Sequence, residues 1–296
     1  MTQQMFNDGC AADNAAASDD DIESSMGFMF DACHARVMRE FEIGGELRVR
    51  LRMIKGDPGH VQSGQYLWPA AHFAAKWLYA HSHDWLPQSS TIVELGAGCG
   101  LAGLATWHMP NVCAVVLTDY DYGSLQLLQE NAAEARASRV SEEATGGDLG
   151  VLRVERLEWG VAIAPSFYSL AAIQGAVEGA SLVDTDGGAA STRHLRVIGT
   201  DLIYAKDVVA PLLGTVAQLF AAFLASTPGV SLGGSEGEGE AHHPAACFVL
   251  FSSFDICPYD QEIARVCAQL GLEHRDKAPL DTAGQASRVS VFTSKT

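Results

Sequence analysis

The segment Thr91-Ile-Val-Glu-Leu-Gly-Ala-Gly-Cys-Gly-Leu-Ala-Gly103 joins a short apolar run to a glycine-rich loop. The run from Thr91 to Leu95 has the length and the β-branched content of a buried strand. The glycines let the backbone turn sharply and come close to a ligand, and the apolar residues after them continue as a helix. This order of elements predicts a ligand site at the end of a parallel strand, beside a helix N-terminus.

Strands and helices alternate along the chain after this segment. Further short apolar runs indicate strands at 114–118, 151–157, 195–199, 247–252 and 289–293. Longer stretches between most of them indicate helices at 124–137, 208–224 and 261–270. The alternation predicts an α/β fold with a parallel, doubly wound sheet and helices on both faces.

The chain before the glycine loop predicts an N-terminal β-hairpin. Residues 39–54 alternate apolar and polar side chains on both sides of Gly44-Gly45, as two antiparallel strands with a tight turn do. A helix is expected at 70–81, with Pro69 near its start.

Composition divides the rest of the chain. Residues 1–25 are polar and acidic, and we expect a disordered tail there. Residues 26–296 are expected to form a single domain, with loop insertions near 176–191 and 231–244, where small and acidic residues dominate.

The chain is strongly acidic, with 19 Lys and Arg against 36 Asp and Glu and a formal charge of −17. This charge argues against nucleic acid as a partner and suits a basic protein surface. The alternative interpretation is that the acidic charge only keeps the protein soluble. We find neither a signal peptide nor an apolar run of the roughly 18 residues that a membrane helix needs. We therefore expect a cytoplasmic or also nuclear monomer without membrane contact. The seven cysteines include no C-x-x-C pair, so we expect reduced thiols.

The glycine loop has three interpretations. Gly98, Gly100 and Gly103 match G-x-G-x-x-G, the dinucleotide fingerprint. Glu94, two positions before Gly96, instead matches the first motif of the methyltransferases, in which the loop holds a methionine moiety. A carboxylate there suits a cationic ligand and would repel a pyrophosphate. The third interpretation is a plain glycine-rich turn without a ligand.

Four motifs carry a resemblance to a known family. They are Gly64-Gln-Tyr-Leu-Trp-Pro69, Val93 to Leu101, Glu158-Trp159 and Thr200-Asp-Leu-Ile-Tyr204. Together they resemble the seven-β-strand protein-lysine methyltransferases, over roughly residues 37–293. The last motif is similar to the D-x-x-Y motif of the methyltransferase-like group that modifies chaperones, translation elongation factors and similar proteins.

This resemblance implies a seven-stranded, mostly parallel, Rossmann-like sheet and S-adenosylmethionine as the cofactor. It also implies a protein substrate, such as a chaperone or a translation factor. The expected cofactor-binding residues are Trp68, Glu94, Gly96, Ala97, Gly98, Asp119, Trp159 and Thr200. Thr200 departs from the small residue, such as Ala, that is usual in the family. Asp119 ends the second strand, where a carboxylate can accept both hydroxyls of a ribose, and a Trp can pack on adenine.

Asp201 and Tyr204 are the expected catalytic residues. By hypothesis, Asp201 orients a lysine amine and helps it lose a proton, while Tyr204 positions the nitrogen. Asp201→Ala should then spare cofactor binding and abolish methylation. Asp-Leu-Ile-Tyr lacks the prolines of N-P-P-Y, which favours an amine over a planar amide or base nitrogen. The simpler alternatives are a turn cap for Asp201 and core packing for Tyr204 and Trp159.

The predicted function is therefore S-adenosylmethionine-dependent methylation of a protein lysine, without a metal. The histidine pairs at 81 and 83 and at 242 and 243 have no carboxylate partner at ligand spacing. Three alternatives stay open. They are methylation of a small molecule or another non-lysine acceptor, a catalytically silent binding protein with this fold, and an NAD-dependent oxidoreductase.

Overall fold

The described part of the chain, in a computed structural model, comprises residues 36–45, 47–55, 63–142, 150–170, 193–227, 244–277 and 288–295. The predictions for the tail at 1–25, for the insertion at 176–191 and for most of 231–244 lie outside these residues.

The predicted hairpin is confirmed. Strands β1 (Arg36–Ile43) and β2 (Leu47–Ile54) pair antiparallel, and the turn uses left-handed backbone at Gly44 and Gly45. Asn131 ties the hairpin to the glycine loop. Its side-chain oxygen accepts the Arg52 N–H at 2.7 Å, and its amide group donates to the carbonyls of Arg52 and Cys99, each at 2.9 Å.

The remaining strands form one seven-stranded sheet in the order β5-β4-β3-β6-β7-β9-β8. They are β3 (Ser90–Leu95), β4 (Val112–Asp119), β5 (Val151–Arg156), β6 (His194–Thr200), β7 (Ala246–Ser252), β8 (Leu272–Lys277) and β9 (Arg288–Ser294). All neighbours are parallel except β9, which is antiparallel to both β7 and β8. The predicted Rossmann-like sheet is thus confirmed. The strand order reverses between β3 and β6, and such a switch point opens a crevice at the carboxyl ends of the strands.

Helices cover both faces of the sheet, as predicted. They are α1 (Pro69–Ala80), α2 (Ser82–Trp85), α3 (Leu101–Trp107), α4 (Tyr122–Glu142), α5 (Pro165–Leu170), α6 (Val209–Ser226) and α7 (Asp260–Leu270). One apolar cluster joins the hairpin, α1, α3 and α4 to the sheet, and a second joins α5, α6 and α7 to it.

Strand β8 has no counterpart in the sequence-based prediction. Its sequence, Leu-Glu-His-Arg-Asp-Lys, contains a single apolar residue, so no apolar alternation marks it. It lies at the sheet edge and is held by its ladder with β9. Backbone pairing at an edge requires little apolar burial, and for that reason the pattern did not reveal it.

The helical stretch Lys206–Ser226 corrects one expectation. By length and composition alone it is apolar enough to cross a membrane. In the fold, α6 buries its apolar side chains in the second cluster, among them Leu212, Val216 and Phe220. A core helix of this composition passes the same test.

Candidate active site

A cavity of about 320 Å³ lies at the carboxyl ends of β3, β4 and β6. Its volume is within the usual range for a small-molecule site. Its described lining consists of Gly64, Tyr66, Leu67, Trp68, Ala71, Gly96, Ala97, Gly98, Cys99, Asp119, Tyr120, Asp121, Ser124, Glu158, Trp159, Thr200, Asp201, Leu202, Tyr204 and Pro211. All the residues expected at the site therefore border one cavity, except Glu94.

The glycine loop is shaped by close packing on two sides. Gly96 and Gly98 have φ angles of 56° and 53°, which side chains rarely adopt. A Cβ at Gly98 would lie 2.6 Å from the backbone oxygen of Gly64, and a Cβ at Gly96 would lie 3.1 Å from the Trp159 ring. The loop is therefore packed against the Gly64 backbone on one side and against Trp159 on the other, and both glycines border the cavity.

Backbone N–H groups occupy most of the hydrogen-bond acceptor positions of the Asp119 carboxylate. Its Oδ1 accepts the N–H groups of Tyr120 at 2.8 Å and of Asp121 at 3.1 Å, and its Oδ2 accepts the Gly98 N–H at 3.0 Å. Burial raises the pKa of this carboxyl, and the three amides oppose the rise. Because each oxygen has two acceptor positions, Oδ2 keeps one of them. Asp119 can thus take one ribose hydroxyl, not the two expected from the sequence.

Asp121 also borders the cavity, although the sequence analysis did not select it. Its Oδ2 accepts both the N–H and the hydroxyl of Ser124 at the start of α4, at 2.7 and 3.0 Å. A cap is the usual role of an Asp in this position. Its place two residues after Asp119 was the only signal that could have suggested a second carboxylate on the cavity wall.

Glu94 lies behind the loop rather than on the cavity wall. It is 1% exposed, and its Oε2 accepts the Gly103 N–H at 2.9 Å. Its Oε1 has no hydrogen-bond partner among the described residues. Burial raises its pKa to about 8, so the side chain is mostly protonated at neutral pH. Glu94 thus caps α3 from within the core. It does not line the cavity and is not placed to contact a ligand there.

Glu94→Gln is expected to flatten the dependence of stability on pH. The carboxyl is protonated in both states below its ordinary pKa of 4.5. Between 4.5 and about 8 only the unfolded chain ionises, so the free energy of unfolding falls by about 1.4 kcal/mol per pH unit. Glutamine keeps the acceptor for Gly103 and cannot ionise. In thermal melts at pH 5 and pH 8, the variant should have a higher melting temperature than the wild type only at pH 8.

The control for this experiment is Glu40→Gln, which changes an exposed carboxylate of β1. Its melting curve should follow that of the wild type across the same pH range. Parallel curves for Glu94→Gln and the wild type would contradict a neutral buried Glu94.

Asp201 is anchored by three hydrogen bonds. Its Oδ1 accepts the Ser253 N–H at 2.6 Å, and its Oδ2 accepts the Ala70 N–H at 3.1 Å and the Ser253 hydroxyl at 2.8 Å. Burial raises the pKa of Asp201, and these bonds oppose the rise. The residue is 6% exposed and has a φ of 55°. One acceptor position remains on Oδ1.

Tyr204 stands at the mouth of the cavity. Its side chain is 62% exposed, and its backbone oxygen accepts the Tyr259 hydroxyl at 3.2 Å. Partial burial raises the pKa of its phenol, and Tyr120 and Asp207 raise it further. The phenol therefore stays protonated at neutral pH and can position a nitrogen, but it cannot serve as an anionic base there.

The charge of the wall is one-sided. Four carboxylate residues line the cavity, namely Asp119, Asp121, Glu158 and Asp201, and no described lining residue is Lys, Arg or His. Glu158 pairs with Arg156 at 3.1 Å, outside the wall. Such a cavity favours a cationic ligand and disfavours the pyrophosphate of a dinucleotide.

Part of this chain is similar in sequence to known proteins. Residues 50–174 match a family model described as lysine methyltransferase. The matched segment comprises 125 of the 296 residues, which is less than half of the chain. The segment contains the glycine loop, Asp119 and Trp159, and it ends before β6, so Asp201 and Tyr204 lie outside the match.

Two human relatives match over half of the chain. One is FAM86B2, which is named provisionally as a protein N-methyltransferase. It is 26% identical to this chain over 162 residues, which cover 55% of this chain and 42% of FAM86B2. The protein-lysine N-methyltransferase EEF2KMT is 26% identical over 159 residues, which cover 54% and 41%. The matched part of this chain thus spans less than half of the length of these relatives. A methyltransferase structure from Pyrococcus furiosus aligns with 75% of this chain and 83% of its own at 12% identity and a TM-score of 0.41.

Proposed function

We propose that the protein binds S-adenosylmethionine in this cavity and transfers its methyl group to the ε-amine of a protein lysine. The observation that carries the proposal is the acidic wall beside the glycine loop, at the point where the strand order reverses. The cofactor has a sulfonium and an ammonium group, and the acceptor is an ammonium at neutral pH. Both are cations, and both gain from carboxylates in a partly desolvated site.

The residues present fit this cofactor. Gly96 and Gly98 line the cavity without a side chain, so the loop presents backbone atoms to a methionine moiety at both positions. The rings of Trp68 and Trp159 line the cavity and offer an apolar surface to adenine. The remaining acceptor position of Asp119, together with Asp121, suits the ribose hydroxyls.

S-adenosylmethionine, when bound, supplies a methyl group activated by the positive sulfur. The protein aligns the acceptor and excludes water. A lysine must be neutral to attack, and losing its proton at pH 7 costs roughly 4–5 kcal/mol in water. The nearby sulfonium charge and desolvation lower that cost. The free position on Asp201 Oδ1 can accept one N–H of the amine, and Tyr204 can hold the side chain at the mouth.

The same reasoning extends to the substrate protein. Tyr120 and Tyr204 line the cavity and are 63% and 62% exposed, with Asp121 on the same wall and Asp207 near Tyr204. Exposed aromatic rings and carboxylates attract Lys and Arg side chains. We therefore propose a substrate with a basic surface around its lysine, and a chaperone or a translation factor as the class to test first.

Calorimetry tests the cofactor first. S-adenosylmethionine and S-adenosylhomocysteine are expected to bind with micromolar affinity, while NAD at the same concentrations produces no heat of binding. Tight NAD binding without binding of either adenosyl compound would favour the oxidoreductase and contradict the proposal.

Labelling then tests the transfer. Cell extract is incubated with methyl-labelled cofactor and the protein, and the labelled bands are mapped by mass spectrometry. We expect label on lysine of one or few proteins, decreasing as salt rises because basic surfaces are screened. Label on small molecules, on another amino acid, or on nothing despite cofactor binding would each contradict the lysine assignment.

A further inference from the structure

Asp201 connects three segments that are distant in sequence. It follows β6, accepts the N–H of Ala70 in α1, which lies 131 residues away, and accepts two hydrogen bonds from Ser253, which follows β7. Its own N–H donates to the Phe251 carbonyl at 2.8 Å. The carboxylate is therefore a fixed junction between the ends of two strands and the start of a helix.

The bond to Ala70 caps α1. The N-cap residue of this helix is Trp68, whose side chain makes no capping bond, and Pro69 at the first position has no N–H. Ala70 thus supplies the first backbone N–H of the helix, and a carboxylate there also interacts well with the helix dipole. Because Trp68 directly precedes the helix and lines the cavity, this bond holds the backbone that carries the Trp68 ring.

Ser253 determines how the carboxylate is turned. Its N–H binds Oδ1 and its hydroxyl binds Oδ2, so the two bonds set the plane of the carboxylate, with Oδ2 on Ala70 and one position of Oδ1 free. Ser253 does not itself line the cavity. Its two hydrogen bonds to Asp201 connect it to the cavity wall.

We propose that Ser253 is a positioning residue of the methyl-transfer site, which orients Asp201 and, through Asp201 and Ala70, the Trp68 wall. This inference rests on the proposed function. It assigns to a residue outside all four sequence motifs the alignment of both the cofactor wall and the acceptor position on Asp201.

Adjacent serines provide a matched test. Ser253→Ala removes the hydroxyl that binds Asp201, whereas Ser252→Ala removes a buried hydroxyl that has no partner among the described residues. Ser253→Thr keeps the hydroxyl and should rescue the site. Three quantities are measured: the Kd of S-adenosylhomocysteine, kcat and KM for a methylated lysine peptide or protein, and the exchange rate of the Ala70 amide hydrogen by NMR without ligand.

For Ser253→Ala we expect about a 10-fold loss in Kd and in kcat, the range for a lost bond to a charged group, with the KM of the acceptor changed less than about twofold. Ala70 exchange should be faster. Ser252→Ala and Ser253→Thr should stay within about twofold of the wild type in Kd and kcat, because neither removes the bond to Asp201.

Equal Kd and kcat in Ser253→Ala and Ser252→Ala would overturn the inference. A lower melting temperature with unchanged Kd and kcat would also overturn it, because that result belongs to a merely structural serine. If the wild type binds no S-adenosylhomocysteine, the proposed function fails. In that case the exchange of Ala70 still decides whether Ser253 controls the junction, and unchanged exchange in Ser253→Ala would contradict it.

Discussion

Gly98→Ala should weaken binding of S-adenosylhomocysteine by at least about 100-fold, equivalent to roughly 2.8 kcal/mol. The new Cβ would lie 2.6 Å from the Gly64 carbonyl oxygen, and the φ of 53° is itself strained for alanine. Left-handed backbone costs about 1–2 kcal/mol for a residue with a Cβ. The clash adds to this, because a backbone oxygen cannot swing aside as a side chain would. Calorimetric titration with S-adenosylhomocysteine measures the loss.

Gly45→Ala is the matched control. Gly45 has a φ of 91° in the hairpin turn, and a Cβ there would meet nothing within 4 Å. This variant therefore carries the backbone strain without the clash and without contact to the cavity. It should lower the melting temperature and leave the Kd unchanged. Equal Kd values for Gly98→Ala and the wild type would show that the cofactor does not rest on this loop.

Asp201→Ala is expected to reduce methylation at least about 100-fold and to lower stability by about 3 kcal/mol or more. The variant leaves the Ala70 N–H and both Ser253 donors without their acceptor in a buried place. Each unpaired buried donor costs about 1–3 kcal/mol. Urea unfolding gives the stability, and single-turnover methylation at saturating cofactor gives the rate.

The anchoring also changes an expectation from the sequence. If Asp201 acted only on the acceptor, Asp201→Ala would spare cofactor binding. Because it also holds the start of α1 and thereby Trp68, we now expect the Kd of S-adenosylhomocysteine to rise several-fold. Asp84→Ala removes the same charge from the exposed surface of α2 and should change neither quantity. Full methylation by Asp201→Ala would refute its assignment to the site.

Much of the fold could be predicted because its signals are local. The buried strand before Gly96, the Gly44-Gly45 turn and the apolar helix α6 each follow from neighbouring residues. Strand β8 could not be predicted in this way, since its pairing with β9 depends on backbone that lies elsewhere in the chain. The positions of the site motifs were equally readable, because the ends of parallel strands meet at one edge of a sheet.

The sequence by itself determined six of the seven strands of the sheet, where the glycine loop stands, and that Asp119 and Asp201 come near it. Only the tertiary structure decided what each carboxylate is free to do. Glu94 is used by Gly103 behind the loop, Asp119 keeps one acceptor position, and Asp201 is held by Ala70 and Ser253. The physical reason is that the acceptor positions of an oxygen are occupied by whichever donors the fold brings within reach, and for Asp201 these lie 131 and 52 residues away.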